Sequence, residues 1–546
     1  MHATWLARST VRHKLVLVLA VMTSCWNVAG AMQSPRTALG TSAAVDPQGN
    51  VWIVYAEGAA SAATVYVSRS TASGAWEAPI AVNATPEPVA SDGDNRPKLA
   101  FDSQGGMYVT WTSPLAAPFT GNIRFARSLD GGKRWLPPAI VHRDRQMITH
   151  RFESMLVDRE DTIWVAWIDK RDLEIARAAQ RDYAGAAVYY AYSRDRGATW
   201  QGDFKLADHT CECCRIGLSL DHEGRPAALW RHVFQPSERD HAFAVLTRDR
   251  AQPVVSRATF DRWNVEACPH HGPSLAFGRD GTRHAVWFNE VAGAGRVFYG
   301  QLTSNEPTHV KPLPAGASHA DVAVAGNDVA VVWKRFDGEA TRVESWLSAD
   351  GGRTFAPGPT LETAGDSDQP RVLQANGDLR IVWRRAEGVA TQSLLGDRAA
   401  KTTQAARKPP PSAHATQIQP FDRATLQRIE RERRGRPFWL VMWDLECTYC
   451  MKSLSTIAAA QRAHPELTIV TVTTDPIEQA EAIEARLAQL GVVSDAYAFA
   501  AGTPEALRYA IDPAWSGEKP RSYRYDAAGK RVARTGVLTA DELTRQ

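Results

Sequence analysis

Pairs of short apolar stretches recur along the larger, N-terminal part of the chain. From about residue 43 to residue 385, an apolar strand, a turn with Asp and Gly, and a second apolar strand ending in an aromatic residue follow one another seven times. The closing aromatics lie about fifty residues apart. They are Tyr55, Trp111, Trp167, Trp230, Trp287, Trp333 and Trp383. A third strand follows the hairpins, as in "NIRFARS" and "VYYAYS". This period predicts an all-β propeller with seven blades, and six blades is the alternative if one repeat is an irregular extension.

The pattern changes after Trp383. Residues 397–420 are polar and Pro-rich, which is typical of an extended linker. Beyond them, buried strands such as "RPFWLVMW" alternate with helical segments such as "PIEQAEAIEARLAQLG". This alternation predicts an α/β layer fold over residues 421–546, so the chain is multidomain, with a propeller over residues 32–396 and an α/β domain after the linker.

The N-terminus has the pattern of an export signal. Arg8, Arg12 and Lys14 precede the apolar run "LVLVLAVM", and Ala29 and Ala31 form a small-x-small cleavage site. Residues 1–31 are therefore expected to be removed, and the mature protein to be periplasmic with no transmembrane segment. The alternative is a degenerate lipobox, "MTSC", that makes Cys25 a lipid anchor.

Composition narrows the function classes. The chain of 546 residues is 44% hydrophobic and 23% charged, with a net charge of +3. No dense basic run with interleaved aromatics is present, so no nucleic-acid partner is expected. We also expect no nucleotide cofactor.

The second domain contains a redox motif. "VMWDLECTYCMK" places Cys447 and Cys450 where a strand meets a helix. Unpaired N–H groups at a helix N-terminus stabilise a thiolate, so Cys447 is predicted to attack and Cys450 to resolve the mixed disulfide. Asp444 and Glu446 are expected to destabilise the Cys447 thiolate, because nearby negative charge disfavours a second anion. The predicted cofactor here is a redox-active disulfide, and a structural disulfide without turnover is the alternative.

These residues resemble the thioredoxin-like family, in particular its exported TlpA/ResA-type branch. "RGRPFWLVMWDLECTYC" and "GEKPRSYRYDAAGKRVARTGVL" are similar to the family's two signature regions over about 110 residues. The resemblance implies that Pro520 is a cis-proline facing the two sulfurs. Glu446 stands where the family usually has Trp, and Val441 stands at the buried acidic position of thioredoxin.

The propeller contains a second family motif. "SLDGGKRW", "SRDRGATW" and "SADGGRTF" resemble the Asp-box of sialidase-like (BNR repeat) propellers, which is a structural turn and says little about substrate. A sialidase would also need a Phe/Tyr-Arg-Ile-Pro motif, which the chain lacks, so glycosidase activity is not expected. Four arginines open innermost strands and are candidates for binding an acidic ligand, although solvated or ion-paired loop residues are the alternative: Arg96, Arg151, Arg215 and Arg371.

Four cysteines lie in loops that precede adjacent blades. "HTCECCRIGLSLD" precedes blade four and "EACPHHGPSLAF" precedes blade five. The predicted ligands are Cys211, Cys213, Cys214, Cys268, His270 and His271, with His150 from the loop before blade three. Met147 and His232 are further candidates. Thiols with imidazoles form a soft ligand set, which favours copper, with zinc as the alternative. A structural disulfide between Cys268 and one of the other three cysteines is the competing prediction.

Together these features predict an exported thiol–disulfide oxidoreductase. Its Cys447/Cys450 pair would act on the propeller's own cysteine site or on a docked thiol- or copper-containing client, and a periplasmic redox donor would supply electrons. The alternative is a propeller that binds a glycan, a peptide or a protein, with its cysteines as structural disulfides.

Overall fold

The computed structural model describes residues 39–71, 74–235, 237–248, 253–291, 293–396 and 418–544. The expected signal segment, Cys25 and most of the expected linker lie outside these residues. No helix in this part of the chain is long and apolar enough to cross a membrane.

Seven antiparallel sheets, one per predicted hairpin, form the blades of a propeller. Each closing aromatic lies in the second strand of its sheet, from Tyr55 in blade one to Trp383 in blade seven. The first strands of successive blades contact one another, and the first strand of blade seven contacts that of blade one. The ring is therefore closed with seven blades, which confirms the seven-blade prediction over the six-blade alternative.

Blades one to four hold sixteen strands. In chain order these are β1 (Thr41–Val45), β2 (Val51–Ala59), β3 (Ala62–Arg69), β4 (Ile80–Ala81), β5 (Lys98–Phe101), β6 (Met107–Pro114), β7 (Gly121–Ser128), β8 (Ala139–Ile140), β9 (His150–Val157), β10 (Ile163–Asp169), β11 (Ala186–Ser193), β12 (Gln201–Thr210), β13 (Gly217–Leu220), β14 (Pro226–Arg231), β15 (His241–Val245) and β16 (Ser256–Arg257). A helix that the sequence pattern did not indicate, α1 (Arg171–Ala178), lies between β10 and β11.

Blades five to seven complete the ring. Their strands are β17 (Ser274–Phe277), β18 (Arg283–Val291), β19 (Ala294–Leu302), β20 (Thr308–Pro312), β21 (Ser318–Ala325), β22 (Asp328–Phe336), β23 (Thr341–Ser348), β24 (Ala356–Pro357), β25 (Leu361–Thr363), β26 (Arg371–Ala375), β27 (Asp378–Arg385) and β28 (Gly388–Ser393). Blade seven has three strands among the described residues.

Repeated side-chain hydrogen bonds explain why the hairpins recur. In blades one to four, an aspartate Oδ1 in the first turn accepts the backbone N–H groups two and four residues later, as Asp46 does from Gln48 and Asn50 at 3.0 and 2.8 Å. The Asp-boxes use a similar device, in which Ser193 Oγ donates to Asp195 and accepts from Gly197 N. Trp200 of the same box packs edge-on against Phe125 of blade two. These residues build the turns and pack neighbouring blades together, which is a structural role.

The C-terminal part is a six-stranded mixed sheet with helices. Its strands are β29 (Gln419–Phe421), β30 (Phe438–Trp443), β31 (Ile469–Pro476), β32 (Asp495–Phe499), β33 (Arg521–Tyr525) and β34 (Arg531–Thr535), in the spatial order β29-β32-β31-β30-β33-β34. The first four are parallel, and β33 and β34 run antiparallel. The helices are α2 (Thr425–Glu432), α3 (Thr448–Ala463), α4 (Ala480–Leu490), α5 (Pro504–Ile511) and α6 (Ala540–Thr544), with a short 3-10 turn at Ile477–Gln479.

The central strand β30 is buried on both faces. Phe438, Leu440 and Met442 pack into one apolar core, and the alternate residues Trp439, Val441 and Trp443 pack into another. The second core also contains the cysteines of both domains. The C-terminal sheet and the loops before blades four and five therefore share one buried interior.

Candidate redox and metal site

Cys447 and Cys450 form a disulfide at the beginning of α3. We call these two residues the CxxC pair. Strand β30 ends at Trp443 and helix α3 begins at Thr448, so Cys447 is the N-cap residue, and its Sγ accepts the Cys450 N–H at 3.0 Å. Both side chains are completely buried. The Lys519–Pro520 peptide bond is cis, as the resemblance implied for Pro520.

The four propeller cysteines are free thiols, and all are buried. We call Cys211, Cys213, Cys214 and Cys268 the thiol cluster. Cys211 Sγ lies 3.7 Å from Cys213 Sγ and 3.4 Å from Cys214 Sγ. Hydrogen bonds from these two neighbours hold the pKa of the Cys211 thiol well below its ordinary value, whereas burial raises that of Cys213. No disulfide joins Cys268 to another cysteine in the described residues, so the structural-disulfide alternative has no support here.

Two overlapping groups of ligand atoms can hold a metal ion. Cys211, Cys213 and Cys214 form one group, and Cys213, Cys268 and His270 form the other; within each group the ligand atoms lie within 4.8 Å of one another. The His270 Nε2 atom is buried and has no hydrogen-bond partner in the described structure. Burial lowers the pKa of His270 to about 4, so its imidazole is neutral and available as a ligand near pH 7.

Four other predicted ligands lie outside the two groups of ligand atoms, and three of them contact other parts of the protein. His271 Nε2 lies 2.9 Å from Ser516 O, to which it can donate, and the ring stacks on His319 and Phe288. His150 Nδ1 lies 3.0 Å from Gly121 O, and its ring stacks on His142. Met147 is an exposed surface residue, and His232 packs against Phe234. None of these four belongs to either group of ligand atoms.

The four arginines predicted at the channel make internal contacts. Arg96 is fully buried and pairs with Asp368 at 2.7 Å, and Arg151 pairs with Glu446 of the C-terminal domain. Arg215 donates to the carbonyl oxygens of Pro273 and Ala320. Arg371 opens β26 as predicted and is half-buried. Three of the four are therefore engaged inside the protein, which agrees with the ion-paired alternative.

Main-chain hydrogen bonds join the thiol cluster to the C-terminal domain. Cys268 N donates to Lys519 O at 2.7 Å, and Lys519 N donates to Cys268 O at 3.1 Å, which forms an antiparallel bridge beside Pro520. Val537 N donates to Glu266 O at 3.0 Å on the same loop. The Cys268 segment thus lies along the C-terminal domain as an added short strand would.

Side chains close the same interface around the CxxC pair. Thr448, which lies between the two cysteines, donates to Glu212 at 3.1 Å, and Glu212 pairs with Lys170. A narrow cleft is lined by Cys213 and Cys268 on the propeller side and by Glu446 and Thr448 on the other. Two cysteines of the thiol cluster and the two residues that flank Cys447 in the sequence therefore line one cleft.

Two guanidinium groups that sequence reasoning missed lie beside the thiol cluster. Arg239 donates to Tyr449 Oη and to Val265 O, and Arg231 donates to Asn289 Oδ1 at 2.7 Å and to backbone carbonyls. The nearby Tyr449 and Cys211 keep the pKa of Arg239 above its usual value despite burial. The one available signal was weak, since Arg231 directly follows the closing Trp230 of a strand otherwise free of charge.

Comparisons with known proteins do not assign a function. No protein-family model matches the chain, and no curated protein does. Among solved structures, the NanB sialidase from Streptococcus pneumoniae has 9% identity and a TM-score of 0.37, over 63% of this chain and 83% of that one. An ulvan lyase of polysaccharide lyase family PL25 has 12% identity and a TM-score of 0.41, over 65% and 94%.

A third similarity covers a smaller share of the chain. A secreted Mycobacterium tuberculosis disulfide oxidoreductase homologous to E. coli DsbE has 17% identity and a TM-score of 0.17, over 21% of this chain and 81% of that one. The neighbours of the propeller thus include sialidases and polysaccharide lyases, and at these identities and scores no activity is transferred from any of them. The fold and site define the chain as a seven-bladed propeller with a buried thiol cluster, joined to an α/β domain that contains a CxxC disulfide.

Proposed function

We propose that the C-terminal domain is a thioredoxin-like oxidoreductase whose client is the thiol cluster of its own propeller. The single observation that carries this proposal is the backbone bridge between Cys268 and Lys519, next to Pro520 and in the same buried core as the CxxC pair. The motif context supports the chemistry, because Cys447 caps a helix whose N–H groups stabilise a thiolate.

The exchange moves two electrons from the CxxC pair to the propeller. The Cys447 thiolate attacks one sulfur of an oxidised pair within the thiol cluster, forms a mixed disulfide and releases the other sulfur as a thiolate. The Cys450 thiolate then attacks Cys447, which releases the second propeller thiolate. The CxxC pair ends as a disulfide, the propeller pair ends reduced, and an external periplasmic dithiol donor restores Cys447 and Cys450.

Burial favours the intramolecular client over an external one. Cys447 and Cys450 have no exposed surface, and residues of both domains pack in the core that contains them. A sulfur of the propeller is already inside this space, whereas an external client would first have to displace the Cys268 segment. The two domains belong to one chain, so the effective concentration of the thiol cluster at the CxxC pair is high.

The reduced thiol cluster serves to bind a soft metal ion. Thiols bind metals only in their reduced form, and they oxidise outside the cytoplasm, so a dedicated reductant maintains the site. Copper is the metal we propose and zinc is the alternative, since thiolates with one neutral imidazole suit both. The export signal predicted at residues 1–31 supports a periplasmic location for this activity.

Trapping the mixed disulfide tests the proposal. In the Cys450→Ser variant the resolving thiol is missing, so Cys447 is expected to stay bonded to a propeller cysteine after mild oxidation of the full chain. Peptide mapping by mass spectrometry without reductant identifies the partner, which we expect to be Cys268 or Cys213. The matched control is the Cys447→Ser, Cys450→Ser double variant, which forms no such link. Recovery of Cys447 as a free thiol, or bonded only to added glutathione, contradicts the proposal.

A further inference from the structure

The two groups of ligand atoms in the thiol cluster share one residue. Cys213 belongs to the group with Cys211 and Cys214 and also to the group with Cys268 and His270. A single ion coordinated by three ligands would leave the remaining two of the five residues unused. A thiolate has lone pairs for two metal ions, so the sharing of Cys213 is the arrangement that a bridging ligand requires.

Two buried positive charges beside the cluster lack a carboxylate partner. Arg231 and Arg239 are 1% and 2% exposed, and neither forms an ion pair with a carboxylate of the described residues. Arg231 Nε and Arg239 Nη1 are buried without a hydrogen-bond partner in the same part of the chain. A buried charge without a counter-charge is costly, so these guanidiniums indicate that negative charge is present next to them in the functional state.

Three acidic side chains around the cluster are each paired with a basic group other than Arg231 and Arg239. Glu212 pairs with Lys170, and Asp444 pairs with Lys519. Glu446 pairs with Arg151. The charge that Arg231 and Arg239 compensate is therefore that of the thiol cluster and whatever it binds.

On the basis of the proposed soft-metal function, we propose that the cluster binds two Cu(I) ions, with the Cys213 thiolate as the bridge between them. One ion takes Cys211, Cys213 and Cys214, and the other takes Cys213, Cys268 and His270. Binding releases the protons that the thiols still carry. Four thiolates carry four negative charges, and two monovalent ions with two guanidiniums carry four positive charges. Two Zn(II) ions in the same place would leave a surplus of two positive charges in a buried site, so charge balance favours the monovalent metal.

Metal stoichiometry tests this proposal directly. The metal-free, fully reduced chain is titrated with Cu(I) without oxygen against a competing chelator such as bicinchoninate. We expect two Cu(I) per chain and a copper–copper distance detectable by X-ray absorption. The Cys447→Ser, Cys450→Ser double variant is the control for copper held by the CxxC pair, and it should keep both ions. A wild-type stoichiometry of one, or two ions without copper–copper scattering, overturns the bridged pair.

Single substitutions locate the two ions. His270→Ala and Cys211→Ser are each expected to leave one Cu(I) and to remove the copper–copper signal, and Cys213→Ser is expected to weaken both ions at least tenfold. Two tightly bound ions in Cys213→Ser would refute the bridge. Circular dichroism of each variant checks its fold, and the wild-type stoichiometry decides the question even if a variant fails to fold.

Substitution of Arg239 provides an independent test of the charge-balance argument. Arg239→Met removes one compensating charge and should lower the ratio of Cu(I) to Zn(II) affinity at least tenfold, whereas Arg239→Lys keeps the charge and should retain most of the ratio. An unchanged ratio in Arg239→Met contradicts the charge argument. The mixed-disulfide trap contains no metal, so failure of the copper stoichiometry and failure of the proposed exchange give different results.

Discussion

The two cysteine regions of this protein are held by different kinds of structure. The CxxC pair lies at the junction of β30 and α3, where a strand, a helix cap and one hydrogen bond fix its geometry within the eight residues from Trp443 to Cys450. The thiol cluster lies in loops of two blades, and its geometry depends on contacts between segments more than fifty residues apart in the chain. Local structure defines the first region, and tertiary packing defines the second.

Separating the loop of Cys214 from the loop of Cys268 should have the largest effect, on both the stability of the fold and the thiol cluster. A Cβ at Gly272 would lie 2.2 Å from Arg215 Cγ and 2.7 Å from Arg215 N, directly after Cys214. Gly272→Ala is therefore expected to destabilise the fold by about 3 kcal/mol through overpacking and to lower Cu(I) affinity. Denaturant unfolding and metal titration measure the two effects.

A second glycine controls for the substitution itself. Gly365 has no atom closer than 3.5 Å to an added Cβ, so Gly365→Ala should leave both stability and metal binding near the wild-type values. The CxxC pair should still form its disulfide in Gly272→Ala. Wild-type metal affinity in that variant would show that the two loops bind metal independently of their contact.

The second largest effect is expected from acidification, which should lower the free energy of unfolding through two histidines beside the thiol cluster. Burial lowers the pKa of His270 to about 4 and that of His271 to about 3, against an ordinary value of 6.5. Between pH 6.5 and 4 the unfolded chain therefore binds more protons than the folded chain, and stability falls as pH falls. Each histidine contributes about 1 kcal/mol per pH unit over this window.

His271→Gln isolates one of these contributions. The glutamine amide can still donate to Ser516 O but cannot take up a proton, so the loss of stability between pH 6.5 and 5 should be smaller by about 1 kcal/mol per pH unit. Urea unfolding of the metal-free protein at several pH values measures this slope. An unchanged slope would mean that His271 is protonated equally in both states.

The same contrast explains what could be predicted from the sequence. The seven hairpins were predictable because each repeats the same local pattern, and the neighbouring position of Cys213 and Cys268 followed from the order of the blades. His271 and Arg239 were not predictable in their roles, because their partners Ser516 and Tyr449 come from the other domain. Residue type and spacing identify a candidate ligand, but only the docked domain shows which of its atoms remain available.

The smallest expected effect concerns the charge next to the CxxC pair. Glu446 pairs with Arg151, and its side chain is 43% exposed, so solvent screens much of its influence. In Glu446→Gln a negative charge next to Cys447 is lost and Arg151 is left unpaired, and both changes favour the Cys447 thiolate. The rate of exchange with a glutathione disulfide at neutral pH should rise about two-fold. Thiolate absorbance in the ultraviolet, taken as a difference from Cys447→Ser, measures the same change directly.

Glu466→Gln is the control, because this carboxylate is 77% exposed and its ion-pair partner in the described residues is His464, just beyond the C-terminal end of α3. A slower exchange in Glu446→Gln than in Glu466→Gln would show that Glu446 positions the propeller loop and does not act mainly through its charge.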